Sequence, residues 1–455
     1  MKPFVRMFMP RPRALAAALS LALAGTIAQP PLQAHTAGQL LTVQNCDDSG
    51  PGSLREVYAS ALAGDEVSMT QLACSTITLT SGPIVSGPYA GYVILQGPLT
   101  HSLTVSGNHS GRVIVHHGLR IGVENLYITA GVANDAAGGG CIYSSGSVNL
   151  VHSTVSDCEV STSGAIAARG GGIRALEGVV LASSRVTGNR AHAAAADADG
   201  GGLHGFYLVS FYQSTISGNT ASSDGSHFAR GGGAFATTYL ACDDTTFSGN
   251  GAGSGGAIYV GNSGSFSAPS LTNVTISGND AVGAAGGILA GRSIKVYNST
   301  ITGNSAGFDF GAGIYLSAGD AELHSTIVAN NTTGGGLYAA DIAGHAGATI
   351  AGAHNLVIAS TLELPQDTIS AEPMLGPLAD NGGGALTHAL LPGSPAIDKG
   401  ENQLGLRHDE RGFVCPPDGQ CVRAERTIGA ATDIGAFELG GFDRIFYDEF
   451  EIEIE

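Results

Sequence analysis

The 455-residue chain has 13% charged side chains, 69 Gly and no Trp. Its 20 Lys and Arg against 38 Asp and Glu give a formal net charge of −18 at pH 7. Such a surface repels nucleic acid and anionic lipid, which argues against both as partners. Frequent Gly between short apolar runs favours a repetitive all-β body over a set of compact domains.

Residues 1–34 have the pattern of a secretory signal peptide. A basic opening precedes an apolar run at 14–28, and Ala28 and Ala34 mark plausible cleavage points. The run is too short for a membrane span, and no later apolar stretch approaches membrane length. We therefore expect an exported protein, secreted or at the cell surface, with no membrane span in the mature chain. Loss of the four leader cations leaves 16 Lys and Arg, and a formal charge near −22.

Residues 35–112 are predicted to form an N-terminal cap and the first coils of a repeat. Ser53 is a natural helix N-cap with Glu56 three residues later, and the apolar residues of a helix over 54–62 fall on one face. This helix would cover strand edges at the lower end of a stack. Strands are expected at 76–79, 92–95, 103–105, 113–115 and 126–129.

A six-residue motif recurs through residues 113–360. Ser-Thr-Ile-Ser-Gly-Asn at 214–219 repeats in steps of 25 to 31 residues, with Cys158 replacing Asn in the earliest copy. The copies occupy 153–158, 184–189, 245–250, 274–279, 299–304 and 325–330. Gly-rich segments and a second apolar strand precede each copy, so three short strands per turn are predicted. The period and the β-branched residues predict a right-handed single-stranded parallel β-helix, and they fit helical repeats, leucine-rich repeats and propellers poorly.

The repeat fades beyond about residue 358. We expect a C-terminal cap over 361–440, because an uncapped stack exposes its last coil. The final residues, 441–455, form an acidic aromatic tail that is interpreted as a sorting or attachment signal or as a solvated terminus.

Several of these segments resemble a known group. The segment 41–55, the Gly-Gly-Gly runs and the Ser-Gly-Asn repeats are similar to bacterial secreted right-handed β-helix proteins and to polymorphic outer-membrane adhesin repeats. The segments 391–400, 409–412 (Asp-Glu-Arg-Gly) and 433–438 (Asp-Ile-Gly-Ala-Phe-Glu) resemble the choice-of-anchor Q module. The resemblance implies an exported β-helix protein and brings no catalytic residues with it.

The seven cysteines fall into three close pairs and one single residue. An exported chain keeps disulfides, so local bridges are the preferred interpretation. The single residue, Cys242, is expected to be a buried free thiol. The candidate bridges are Cys46 with Cys74, Cys141 with Cys158, and Cys415 with Cys421.

A polar column lies six residues before the repeat Asn. Alternation with an apolar column points these side chains inward or into a turn, where repeated amides and hydroxyls bond to one another and to the backbone. We therefore predict a structural ladder, and we interpret the repeat Asn as a turn residue that tolerates unusual backbone angles. The ladder residues are His152, Ser183, Gln213, Asp244, Asn273, Asn298 and His324.

Asp243 and Asp244 are the residues in this column with metal-binding potential. Adjacent carboxylates could hold calcium together with Asp197, Asp199 or Asp224 from preceding loops, because calcium takes several oxygen ligands. Calcium is therefore retained as a possible cofactor, with no other cofactor expected.

Two functions remain open at this point. Tyrosines on successive coils suggest a sugar-stacking strip, which favours a non-enzymatic surface protein that acts in adhesion or polysaccharide binding. The alternative is a polysaccharide lyase or glycoside hydrolase of the pectin-lyase-like β-helix class. Arg292 and Lys295 only loosely match a basic catalytic motif, and Lys295 is expected more than about 10 Å from Asp244, beyond general-base reach. The tyrosines are Tyr89, Tyr92, Tyr143, Tyr207, Tyr239, Tyr259, Tyr297, Tyr315 and Tyr338.

Overall fold

The computed structural model describes residues 38–263, 267–308, 310–334, 341–414 and 422–440, without the side chains of 413, 414 and 422. The predicted signal peptide, the acidic tail, Tyr338 and the Cys415–Cys421 pair lie outside these residues. Within them, no helix is long and apolar enough to cross a membrane.

The described chain is a parallel β-helix, as predicted. Strands of successive coils pair in parallel to form three long sheets of 21, 10 and 8 strands, named A, B and C. Each middle coil runs from a sheet B strand to two sheet A strands and then to a short sheet C strand. The sequence predicted three strands per turn. The fourth, the sheet C strand that directly follows the repeat Asn, was not predicted.

Sheet A contains two rows of strands, and in coils 239–248 and 270–277 the two rows join into one strand. The first row comprises Leu40–Thr42, Glu66–Ser68, Tyr92–Gln96, Arg120–Glu124, Ser147–Val151, Gly178–Ala182, Leu208–Tyr212, Tyr239–Ser248, Ser270–Ser277, Ile294–Tyr297, Ala321–His324 and Ile350–Ala353. The second row comprises Thr76–Thr78, Leu103–Ser106, Leu126–Thr129, Thr154–Ser156, Arg185–Thr187, Thr215–Ser217, Thr300–Thr302, Ile327–Ala329 and Leu356–Val357.

The other sheets use shorter strands. Sheet B comprises Ile84–Val85, Ile114–His116, Ile142–Ser144, Ile173–Ala175, Leu203–Gly205, Ala234–Ala236, Ile258–Val260, Ile288–Ala290, Ile314–Leu316 and Ile342–Gly344. Sheet C comprises Val132–Ala133, Glu159–Thr162, Arg190–Ala193, Thr220–Ser223, Gly251–Ala252, Asp280–Ala281, Ser305–Ala306 and Thr332–Thr333. A small parallel sheet comprises Ala168–Arg169, Ala198–Asp199 and Ala229–Arg230, and two antiparallel hairpins comprise Leu375–Ala379 with Thr387–Leu390 and His408–Val414 with Val422–Glu425.

Alternate side chains of each strand fill the interior. Equivalent residues stack in columns, for example Val148, Val179, Val209 and Leu240, which are all 0% exposed. One coil has too little apolar surface for a core of its own, so the stack supplies it. Cys242 belongs to this core as a free thiol, which confirms its predicted state.

The repeat Asn forms a buried ladder, which the interpretation as a turn residue did not foresee. The residue before it takes the left-handed turn, as Gly218 does at φ 63°. The Asn side chain instead accepts from the backbone N–H and the amide of the Asn one coil below. For example, Asn250 Oδ1 lies 3.0 Å from Asn219 N and 2.9 Å from Asn219 Nδ2. The ladder residues are Asn189, Asn219, Asn250, Asn279, Asn304 and Asn331, and Asp341 ends it.

Both ends of the stack are covered. The predicted lower helix is present as Leu54–Ser60, where Ser53 accepts from Glu56 N and Gly52 N donates to Glu56 Oε2 at 2.6 Å. Leu54 and Tyr58 are the buried residues of this helix. At the upper end, Leu362 and Leu364 pack against the last apolar residues of the core.

Two of the predicted disulfides lie within the described chain, and both are formed. Cys46 is bonded to Cys74 across 28 residues, and Cys141 is bonded to Cys158 across 17 residues. Both bridges join the lower coils.

Candidate functional site

The chain after residue 375 folds back along the outside of the stack. We call residues 375–414 and 422–440 the strap. It covers the outer face of the second row of sheet A from the coil of Thr246 upward, where Thr246 Oγ1 donates to Leu386 O and Ala436 N donates to Thr300 Oγ1. Farther up, the apolar strap residues Leu390, Ile434 and Phe437 cluster with Ile327 and Ala329 of that row. This part of the sheet is therefore unavailable to a ligand. The lower coils of this row, with Tyr127, remain exposed.

Two of the three strap segments that resemble the choice-of-anchor Q module, 409–412 and 433–438, bind each other. Arg411 pairs with Asp409 at 2.6 Å and lies 4.0 Å from the ring centroid of Phe437. Glu438 N donates to Asp409 Oδ2, and the Glu438 carboxylate accepts from the Asp433 and Ile428 amides. These contacts are almost fully buried and leave no open position for a ligand, so they stabilise the strap.

Glu410 connects the strap to the stack through two threonines. It is buried, and Thr246 Oγ1 lies 3.2 Å from its Oε1 while Thr275 Oγ1 bonds to Oε2. The Thr246 hydroxyl also donates to the carbonyl of Leu386, so it connects two parts of the strap to the stack. Burial raises the pKa of Glu410 well above its ordinary value, and the hydrogen bonds from Thr275 and Thr246 oppose this shift.

The predicted polar column forms the bend between the two rows of sheet A. His152, Ser183, Gln213, Asp244, Asn273 and Asn298 all have φ between 47° and 52°, the left-handed conformation. The inward ladder lies one position later. There, Ser184 Oγ accepts from Ser153 N, and Ser214 Oγ accepts from Ser184 N.

His324 was assigned wrongly to this column. It pairs with Tyr297, so Ser325, at φ 48°, is the neighbour of Asn298. The last repeat copy contains two adjacent asparagines, and the buried ladder uses Asn331 rather than Asn330. An alignment on Asn330 therefore shifts the whole copy by one residue.

The carboxylates proposed for calcium do not come together. Asp243 is exposed on the outer face of sheet A, whereas Asp244 is buried, accepts from Asn273 Nδ2 at 3.0 Å and lies 3.7 Å from His408 Nδ1. Asp197 and Asp199 both pair with Arg230. Asp224 is beside His192. Across the described ranges, no group of three or more His, Cys, Asp or Glu is arranged to hold a metal ion.

The first row of sheet A leaves an open face, and an apolar ridge follows its edge at the turns from sheet B. The ridge residues are strongly exposed, with Leu119 at 71%, Tyr207 at 52% and Phe206 at 41%. Leu176 and Leu208 complete the ridge at 37% and 39% exposed. Leu176, Phe206, Tyr207 and Leu208 lie on two adjacent coils, and the coil of Ser145 and Gly146 separates them from Leu119. Exposed apolar groups clustered in this way are typical of a binding surface.

The ridge is held rigidly at its aromatic pair. Phe206 and Tyr207 pack edge to face at 4.8 Å. Tyr207 N donates to Glu177 O of the coil below, and Thr238 Oγ1 of the coil above contacts both carbonyls of the pair. Because the turn is fixed from both sides, its rings are preorganised to meet a ligand.

Tyr212 lies on the open face itself, in the same strand as Leu208. It is 43% exposed and stands between Ala182 and Asp243 of the adjacent coils. It lies four positions after Leu208, which is about 13 Å along an extended strand. Two aromatic residues, Tyr207 and Tyr212, thus flank one stretch of the face.

The predicted tyrosine strip is divided between faces. Tyr89, Tyr92 and Tyr207 lie near the ridge or the open face. Tyr143, Tyr259 and Tyr315 follow a separate column on sheet B. Tyr212 was omitted from the predicted set, although two-residue alternation from the apolar Phe211 indicates that it points outward.

The cluster around Lys295 occupies the upper part of the open face. Lys295 Nζ lies 2.7 Å from Glu322 Oε2, and Tyr297 donates to Glu322 Oε1. The Glu322 carboxylate raises the pKa of Lys295, while Lys295 and Tyr297 lower the pKa of Glu322. Lys295 is therefore protonated at neutral pH and unsuited to act as a general base.

Comparison with known proteins supports the architecture alone. A pectate lyase, Pel9A, shares the fold with a TM-score of 0.51 and 14% sequence identity, over 89% of this chain and 97% of that chain. No family model matches the sequence, and no curated protein matches it. The chain thus shares the parallel β-helix fold with that lyase, and similarity assigns no activity to it.

Proposed function

We propose that this protein is an extracellular or surface-bound β-helix that binds a polysaccharide along the open face of sheet A. The observation that carries the proposal is the ridge of Leu119, Leu176, Phe206, Tyr207 and Leu208, with Tyr212 across the face. Aromatic rings stack on the apolar faces of sugars while their hydroxyls stay in water. Coils repeat about every 4.8 Å, close to the length of a sugar unit in an extended chain.

The proposal also includes export of the protein and a role in adhesion. Two disulfides support an oxidising compartment outside the cytoplasm. The predicted signal peptide and the resemblance of the strap motifs to a choice-of-anchor Q module agree with a secreted or surface location. A rigid face suits adhesion to a polysaccharide because little ordering entropy opposes binding.

The lyase or hydrolase alternative is less well supported by the open face. The cation on the upper part of this face, Lys295, is neutralised by an ion pair, and Arg120 on the lower coils lies over the Tyr92 ring. Apart from Glu66 and Glu124 on the lower coils, which are close enough to interact, the outward-facing carboxylates of this row are Asp243 and Glu322. These two lie three coils apart in the paired register, about 14 Å along the axis. Glycosidases place their two carboxylates roughly 5–9.5 Å apart.

Binding and turnover can be separated with the exported chain. Retention on a panel of immobilised acidic and neutral polysaccharides is measured, and the bound polysaccharide is then assayed for new reducing ends and unsaturated products. We expect retention without products. Tyr207→Ala is expected to weaken the affinity about tenfold, as loss of an aromatic anchor does. Tyr127→Ala, exposed on the second row of sheet A, is the matched control and should bind normally.

Two outcomes would contradict the proposal. Products that accumulate with time would favour the enzyme. Equal affinities of the Tyr207 variant and the control would show that the ridge is not part of the binding surface.

A further inference from the structure

A small polar cleft lies where the strap begins to cover sheet A. It has a volume of about 180 Å³ and is lined by Ser183, Ser184, Arg185, Gln213, Thr215 and the strap residue Gly384. Ser183 and Gln213 directly follow the strands that carry Ala182 and Tyr212. The cleft therefore borders the open face, on the side opposite the apolar ridge.

The cleft contains unused hydrogen-bond donors. Within the described part of the chain, the side chains of Ser183, Arg185, Gln213 and Thr215 make no hydrogen bond or ion pair. The backbone N–H groups of Ser183 and Gln213 already bond to carbonyls of the next coil. The free side-chain groups are thus available to a ligand.

Arg185 has no carboxylate partner, unlike most of the described cations of this acidic protein. Arg190 is paired with Glu159 at 2.7 Å, and Lys295 is paired with Glu322 at the same distance. Arg185 stands in the outward column between Thr154 and Thr215, which bring no carboxylate to it. A guanidinium group presents a planar fork of N–H donors that matches two oxygens of a carboxylate or sulfate.

We propose that this cleft is a subsite for an anionic group, a carboxylate or a sulfate ester, carried by the bound polysaccharide. The inference rests on the proposed function and specifies a ligand that carries such an anionic group at intervals. The net negative charge of the chain disfavours a densely charged polyanion, whereas a single substituent meets the local charge of Arg185. Arg185 supplies the charge, and the hydroxyl and amide donors around it orient the oxygens. A cleft of this volume is well below the roughly 300 Å³ of sites for drug-sized ligands, so it receives one substituent rather than a chain segment.

Gly384 allows the cleft to be blocked without disturbing the fold. A Cβ added at Gly384 has nothing within 4 Å, so a side chain there is tolerated. Gly384→Glu would place a carboxylate at the mouth of the cleft, where it competes with the ligand's anion. Gly384→Gln has the same size without the charge.

The test compares the full chain and its variants against matched ligands by calorimetry. The ligands are a uronate oligosaccharide, its carboxyl-reduced neutral form and a sulfated neutral oligosaccharide, with inorganic sulfate as a separate probe. Because a hydrogen bond to a charged group contributes about 1.5–3 kcal/mol, we expect Arg185→Gln to weaken the preferred acidic ligand about 10- to 150-fold and to leave the neutral form unchanged. Gly384→Glu should act in the same way, whereas Gly384→Gln and the control Arg190→Gln should not.

The outcomes distinguish the subsite from the ridge. Preference for the uronate or for the sulfated ligand identifies which anion the subsite takes. If Arg185→Gln leaves the ratio of acidic to neutral affinity unchanged, the subsite is refuted while binding at the ridge stands. If no oligosaccharide binds but inorganic sulfate binds in an Arg185-dependent manner, the proposed function fails and the anion site is retained.

Discussion

Replacing Asn250 by Ala tests whether the buried ladder holds the coils together. The side chain accepts from Asn219 N and Asn219 Nδ2 and donates to Ile216 O and Asn279 Oδ1, all at 2.9–3.0 Å. Its loss leaves at least the Asn219 N–H and the Ile216 carbonyl without these partners inside the stack. At about 1–3 kcal/mol for each such buried group, the free energy of unfolding should fall by about 2–6 kcal/mol.

The measurement is denaturant unfolding followed by circular dichroism. Asn149→Ala is the control, because Asn149 faces outward on sheet A and its side chain makes no hydrogen bond within the described residues. This control should change the stability by no more than about 0.5 kcal/mol. If Asn250→Ala is destabilised by less than about 1 kcal/mol relative to Asn149→Ala, the ladder does not contribute the expected free energy of unfolding.

Three further predictions concern the strap and the lower coils. Because burial raises the folded-state pKa of Glu410, its contribution to stability is present at low pH and is lost as pH rises above its ordinary value of 4.5. Glu410→Gln should therefore unfold at a higher temperature than the parent at pH 8–9 and flatten the pH dependence in calorimetry. Replacing Cys141 and Cys158 by Ala should lower stability by about 3 kcal/mol, as expected for a loop of this length, measured by denaturant unfolding. Gly412→Ala adds a Cβ 2.5 Å from Gln213 Nε2 at a left-handed residue, so a double-mutant cycle with Gln213→Ala should show coupling of about 0.5 kcal/mol or more.

Each of these predictions has a result that would refute it. An unchanged pH profile for Glu410→Gln would mean that Glu410 is ionised in the folded state. Equal stability of the reduced and oxidised chains would show that the Cys141–Cys158 bridge does not stabilise the fold. Additive effects at Gly412 and Gln213 would mean that the strap does not contact this bend.

The repeat carried most of the information about the fold. Gly followed by Asn at a steady period marks a turn that recurs on every coil, so the coil, its strands and its parallel stacking follow from local chemistry. The lower helix was also predictable, because Ser53 and Glu56 form a local capping pair. The register failed only where Asn330 and Asn331 are adjacent and either could occupy the ladder.

The strap and the site depend on contacts that are distant in sequence. Thr246 and Thr275 look like ordinary strand residues, yet they bond to Glu410 more than 130 residues away. Similarly, the apolar ridge depends on which residues the B-to-A turns leave exposed. The sequence placed Asp243 and Asp244 together because they are neighbours, but the bend at Asp244 sends the two carboxylates to different faces.

A crystal structure of the chain with an oligosaccharide from the retained polysaccharide tests the central claim most directly. The account predicts sugar rings against Tyr207 and Tyr212, with the oligosaccharide on the open face of the first row of sheet A. An oligosaccharide bound instead along the sheet B column of Tyr143 and Tyr259, with the ridge empty, would contradict it.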